Sequence, residues 1–231
     1  MKKFLFVFLL LVGSTTLPLF LSWDASEQAA DLLSAEPVTE TPTETTAPEL
    51  PPLTDIDGHW AQSSIQSLYE KGVASGYGDG SFGPNDPVTR AQIMKMALEA
   101  FGETDSTTTS STFTDVALTD WAAPYISTGT AIGIVSGYDD GTFKPEKTVT
   151  RAEALKVILE AAGFTDLSDT TGNFTDIDSV RDWFAKYSAF AKKAGFVAGY
   201  SDGSFRGNQG ITRAEVCVII QKVVDYLGGQ E

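Results

Sequence analysis

The sequence predicts a mostly α fold of three helix-loop-helix repeats, and three observations carry that prediction. A phrase recurs: Gly76-Tyr77-Gly78-Asp79-Gly80-Ser81-Phe82, Gly137-Tyr138-Asp139-Asp140-Gly141-Thr142-Phe143 and Gly199-Tyr200-Ser201-Asp202-Gly203-Ser204-Phe205. Each copy is closed by a helix-start signal: Thr89-Arg90-Ala91-Gln92, Thr150-Arg151-Ala152-Glu153 and Thr212-Arg213-Ala214-Glu215. The spacing is held, with the arginines 61 and 62 residues apart and Trp60, Trp121 and Trp183 at the same two intervals. A fixed period marks one structural unit used three times.

In chain order, residues 1–25 read as an export segment. Lys2 and Lys3 precede a continuously apolar run from Phe4 to Val12, and apolar character resumes from Leu17 to Trp23. That pattern fits a cleaved signal peptide or an uncleaved membrane anchor, and both readings stay open. Residues 26–52 form a spacer dominated by Pro, Thr and Glu, too poor in apolar surface to offset the entropy of ordering it.

Three repeats follow at 53–102, 113–164 and 174–227. Each opens on an acidic lead-in: Thr54-Asp55-Ile56, Thr114-Asp115-Val116 or Thr175-Asp176-Ile177. A first helix begins near the Trp and stops at Gly72, Gly133 or Gly195, where glycine can take the left-handed conformation. The Asp-Gly pair then marks a turn, because the flanking acids of a calcium loop are missing. The second helix opens with Thr-x-x-Gln or Thr-x-x-Glu, a capping box that satisfies two backbone N–H groups. Met94, Ala97, Leu98 and Phe101 then fall on one face, as do Val216, Ile219, Ile220 and Val223. One helix pair buries little alone, so three pairs packed through their second helices predict one shared core.

Composition narrows the function. The formal charge of −15 over 231 residues excludes nucleic acid as a partner. A single cysteine forms no internal disulfide, and one Cys with one His builds no zinc site. Cys217 occupies the core register of Met94 and Leu155, and His59 takes the slot of Asp120 and Asp182 at a helix start, where it reads as a surface residue. No Ser/His/Asp set, Cys/His pair or metal cluster is available, and the repeated acids lack a repeated second carboxylate. The expectation is therefore no enzyme and no cofactor.

Two residue types could carry binding chemistry. Arg90, Arg151 and Arg213 stand in the first turn of a helix, where the backbone already leans positive. Either an anion arrives to use both, or each arginine pairs internally with Asp55, Asp115 or Asp176. Trp60, Trp121 and Trp183 are either core residues or open platforms for sugar rings. Open indoles beside arginine and aspartate would point to an acidic glycan.

Phe174-Thr175-Asp176-Ile177, Trp183, Gly-Tyr-x-Asp-Gly-x-Phe and Thr-Arg-Ala-Glu, in that order and three times over, closely resemble the S-layer homology domain. The resemblance covers about Leu53 to Leu227. It implies three repeats with pseudo-threefold symmetry around a central bundle of second helices. It further implies non-covalent anchoring in the bacterial cell envelope through an acidic, pyruvylated wall polysaccharide held in grooves between repeats. The residues carried over are Asp55, Trp60 and Arg90; Asp115, Trp121 and Arg151; Asp176, Trp183 and Arg213. Other readings are a protein–protein module in a surface layer or envelope complex, and a membrane-to-wall tether if the N-terminal segment stays uncleaved. Beyond export segment and spacer all reads as the triplet, so the expectation is a free-standing wall binder or, with the N-terminal segment uncleaved, that tether.

Departures from the pattern rank the grooves. Repeat one has Gln92 for Glu153 and Glu215, and Gly83 for Lys144 and Arg206, which predicts its groove to be the weakest. Repeat three has Gly207 for Pro84 and Pro145, which predicts a looser loop. The groove that uses Arg151 is expected to bind best. Arg151→Ala with Arg213→Ala is expected to abolish binding and leave the fold intact.

Overall fold

A computed structural model describes residues 50–102 and 113–229. The expected export segment lies outside these residues, as does the spacer apart from Leu50–Pro52, which are irregular and largely exposed. Six helices appear among the described residues: α1 (Gln62–Glu70), α2 (Arg90–Phe101), α3 (Ala123–Ala131), α4 (Arg151–Ala161), α5 (Ala185–Lys193) and α6 (Arg213–Gly228). No helix among them is long and apolar enough to cross a membrane.

Local signals behave as chemistry demands. Thr89, Thr150 and Thr212 all form complete capping boxes with Gln92, Glu153 and Glu215. Gly72, Gly133 and Gly195 follow the first helices at φ 75, 81 and 80. His59 Nδ1 accepts the Ala61 N–H at 3.2 Å, the service that Asp120 Oδ1 gives Ala122 at 3.1 Å. The helix-start slot at 59 is thus an acceptor position, and the imidazole fills it half-buried.

The second helices α2, α4 and α6 pack on one another, and the first helices sit outside them in the pairs α2·α3, α4·α5 and α6·α1. Met94, Leu98, Leu155, Ile158, Cys217 and Ile220 are all sealed in this centre. Burial pushes the Cys217 thiol up to about 12, so it behaves as a small apolar side chain.

The order of the repeats is cyclic. Isolated bridges pair Thr89 with Thr148, Thr150 with Gly210, and Pro87 with Thr212. Repeat one therefore grips repeat two, two grips three, and three returns to one. The loop of repeat three is not slack. A side chain at Gly207 would lie 2.6 Å from the Phe184 ring, which is buried. Phe184 stands where the other repeats carry Ala61 and Ala122, so the smaller loop residue makes room for the larger helix residue.

Candidate functional site

The backbone at each second-helix start is already occupied. The N–H groups of Arg90 and Ala91 donate to Lys147 and Pro145 carbonyls, those of Arg151 and Ala152 to Gln209 and Gly207, and those of Arg213 and Ala214 to Asp86 and Pro84. With the capping boxes, these bonds use the donors that the helix starts were expected to offer an anion. What remains for a ligand is side chain.

The three aspartates serve the loops. Asp55 accepts the N–H groups of Phe82 and Gly83, Asp115 those of Phe143 and Lys144, and Asp176 those of Phe205 and Arg206, all at 2.7–2.8 Å. Desolvation raises the Asp115 carboxyl, but its backbone donors outweigh that effect and hold it below the ordinary range. The second donor in each pair sits at positive φ: 69 for Gly83, 60 for Lys144 and 58 for Arg206.

The arginines do not pair with these aspartates. Arg90 donates from Nε to Phe143 O at 2.8 Å and from Nη2 to Ser136 O at 3.0 Å. Arg213 repeats the arrangement on Phe82 O at 2.9 Å and Ser75 O at 2.6 Å. Both guanidinium groups lie over the phenylalanine ring, at 4.4 and 4.3 Å from the centroid. Arg151 breaks the pattern: its Nη1 meets Glu215 Oε1 at 3.0 Å, and its Nε is buried without a partner. Arg151 and Arg213 are only 8% and 5% exposed, so both are seams between repeats as well as ligand candidates. The expectation that their alanine variants keep the fold intact meets a physical objection, because removing either leaves the Glu215 carboxylate or the Phe82 carbonyl without its partner.

The indoles are open. Trp60, Trp121 and Trp183 are 64%, 52% and 53% exposed, which removes the core reading. A Trp, an Arg and a loop do meet in a groove, but they come from three different repeats. A cavity of about 300 Å³ is lined by Arg213 of repeat three, Trp121 of repeat two, and Ser75, Tyr77, Gln92 and Lys95 of repeat one. A second cavity, of about 460 Å³, has Arg90, Ser136, Glu153 and Lys156 at the corresponding places.

Lys95 and Lys156 were missed from sequence. Each stands five residues after its helix's first Arg and on the face turned to the groove; repeat three has Val218 there. That periodic pair was the available signal. Lys156 is committed, donating to Ile134 O at 2.7 Å and to Glu160 at 2.6 Å. Lys95 touches only the Ser75 hydroxyl, at 2.5 Å, while Glu99 turns to the Tyr125 hydroxyl at 2.6 Å. Burial lowers the Lys95 pKa; Glu99 opposes the shift and Arg213 adds to it.

The grooves therefore differ in charge. The first presents two cations with Gln92 and no carboxylate on its wall. The second presents Arg90 and a Lys156 already paired with Glu160, beside Glu153. At the equivalent seam between repeats two and three, the third groove by symmetry, Arg151 is already neutralised by Glu215. The order of unmatched charge runs opposite to the order of binding that the departures in sequence suggested, because Gln92 removes a competing carboxylate and keeps the cap.

Comparison with known proteins gives a concordant result. The profile of the S-layer homology domain matches residues 52–94, 112–155 and 173–217. Cell surface glycoprotein 1 of Acetivibrio thermocellus is 31% identical over 160 residues, 65% of this chain and 7% of that protein. The cell surface protein of Thermoanaerobacter kivui is 30% identical over 191 residues, 78% of this chain and 23% of its own length. The cellulosome-anchoring protein of Acetivibrio thermocellus is 32% identical over 157 residues, 65% of this chain and 35% of its own. The chain thus spans between 7% and 35% of the length of these relatives.

Proposed function

The chain belongs to the S-layer homology family, and from that premise we propose that it is a non-enzymatic module anchoring its carrier in the bacterial cell envelope by gripping an acidic wall polysaccharide. The relatives named for the cell surface and for cellulosome anchoring support the envelope location. The acidic ligand rests on one observation: Arg213 and Lys95 line one groove together with the exposed indole of Trp121.

Each part has a physical task. A carboxylate on the sugar, such as a pyruvate ketal, meets Lys95 and the rim of the Arg213 guanidinium. The indole packs on the sugar's C–H face. Asp55 positions the loop that carries Tyr77, and so contributes through Phe82 and Gly83. A charge-assisted bond contributes about 1.5–3 kcal/mol. One groove is then a modest binder, and a polymer spanning two grooves gains by effective concentration.

The test uses purified wall polysaccharide in a sedimentation assay. Lys95→Gln and Trp121→Ala alter exposed or half-exposed side chains, so the melting temperature should hold while binding falls by about tenfold or more. Unchanged binding by both variants refutes the proposal. Retention on walls stripped of the polysaccharide would instead favour a protein partner.

A further inference from the structure

We infer that Glu215 is an internal ligand that keeps the third groove closed, and that the residue three places into each second helix sets the anion affinity of its groove. The inference rests on the reading of the grooves as anion sites. It adds which of them are open and what closes the other.

At the third groove, Arg151 is 8% exposed and its Nη1 is held by Glu215 Oε1 at 3.0 Å. The Tyr200 hydroxyl reaches the same oxygen at 3.4 Å. The other oxygen, Oε2, accepts the Thr212 N–H at 3.0 Å and completes the cap. A single carboxylate thus does two jobs, capping its own helix and occupying the neighbour's guanidinium. Arg90 and Arg213, by contrast, rest on backbone carbonyls. A carbonyl neutralises no charge, so those two arginines keep theirs.

The rest of the third groove agrees. Arg151 Nε is buried with no acceptor, where Arg90 and Arg213 bond a phenylalanine carbonyl. The guanidinium has been drawn off that position by a stronger partner. Val218 replaces the lysine, and Ala198 replaces Ser75 and Ser136. A groove whose cation is already matched has no electrostatic use for a second one.

Repeat one shows that the cap does not need the charge. Gln92 Oε1 accepts the Thr89 N–H at 3.1 Å, as Glu215 does for Thr212. Glu215→Gln can therefore keep the cap through its amide oxygen and turn an uncharged amide toward Arg151. An incoming carboxylate then finds an unmatched, desolvated guanidinium.

The experiment compares wild type, Glu215→Gln and Glu215→Gln/Val218→Lys by NMR. The readouts are the Arg151 Nε–H and the indole N–H of Trp60, which precedes the helix α1 packed on α6. The probes are a pyruvylated methyl hexoside and, separately, acetate. In wild type, the hexoside should move Trp121 and leave Trp60 and Arg151 still. In the double variant it should also move Trp60 and Arg151, with affinity about tenfold or more above wild type at that groove. The inference is overturned if Trp60 and Arg151 respond in wild type, or stay still in the double variant while Trp121 responds. If the hexoside moves no indole at all, the polysaccharide reading fails, and acetate decides the present one. It must shift Arg151 Nε–H in Glu215→Gln but not in wild type.

Discussion

Arg213 Nε lies 2.9 Å from the carbonyl oxygen of Phe82, a residue 131 positions earlier in the chain. That bond, with Nη2 on Ser75 O, closes repeat three onto repeat one. The same arginine lines the first groove beside Lys95, so one side chain both closes the fold and belongs to the proposed site.

Arg213→Ala should therefore lower stability as well as binding. It leaves the carbonyl of Phe82, buried with the guanidinium, and that of Ser75, nearer the surface, without their side-chain donor. The expected loss is about 2–4 kcal/mol, read from urea unfolding. Arg213→Lys should recover only part, because one ammonium cannot reproduce the planar fork. A midpoint unchanged by Arg213→Ala would show that the seam holds without it.

Gln92→Glu should weaken polysaccharide binding while the protein keeps its melting temperature. Glutamate caps the helix equally well, as Glu153 and Glu215 do. It also places a carboxylate on the wall shared with Arg213 and Lys95. A drop of about tenfold corresponds to roughly 1.4 kcal/mol, and titration against purified polysaccharide measures it.

Affinity should fall on the alkaline side before an ordinary lysine would lose its proton. Burial holds the Lys95 pKa below 10.5. An anion needs the charged form, so binding weakens as pH rises through that lowered value. Lys95→Arg keeps its charge throughout, and its binding curve should stay flat over the same range.

Stability should be lost in acid through the turn aspartates. Asp140 and Asp202 accept hydroxyl and backbone hydrogen bonds from Thr142 and Ser204, with Lys144 and Arg206 adding support, and both sit at about 2 instead of 3.8. Asp115 is also lowered. A carboxyl whose pKa is depressed by folding stabilises above its unfolded value and ceases to do so as pH falls through the folded one. Unfolding midpoints should thus hold down to about pH 4 and decline toward pH 2. Asp140→Asn should shrink the decline.

Much of this architecture was legible in the sequence because it is local. Capping boxes, left-handed glycines and apolar stripes act within a few residues, and each appeared where the spacing put it. The groove was less legible because it is assembled by cyclic offset. Arg90 serves the loop of repeat two, and its acceptors are backbone carbonyls, which carry no mark of residue identity. The Arg151–Glu215 pair was equally hidden, since repeats one and three contain an Arg in the same register, Arg90 and Arg213, without such a pair. Phe184 and Gly207 show the same limit: each reads as a lone irregularity until the loop and the helix are seen to touch.

Gly83 has the widest reach among the small differences between repeats. Lys144 and Arg206, its counterparts, lay their cations over Tyr138 and Tyr200 at 4.2 and 3.9 Å, while the Tyr77 ring has only the Arg213 guanidinium over it, at 5.1 Å, and its hydroxyl turns to Asp86 at 3.0 Å. Any side chain at Gly83 would collide with both Asp86 and Tyr77. Asp86 also offers its carbonyl to the Arg213 N–H. A polymer under tension in the first groove would thus pull on a phenol, an aspartate and a helix end that belong to two different repeats. The glycine at 83 leaves room for that linkage, so load on a polymer held as proposed would be shared across a seam instead of falling on one turn.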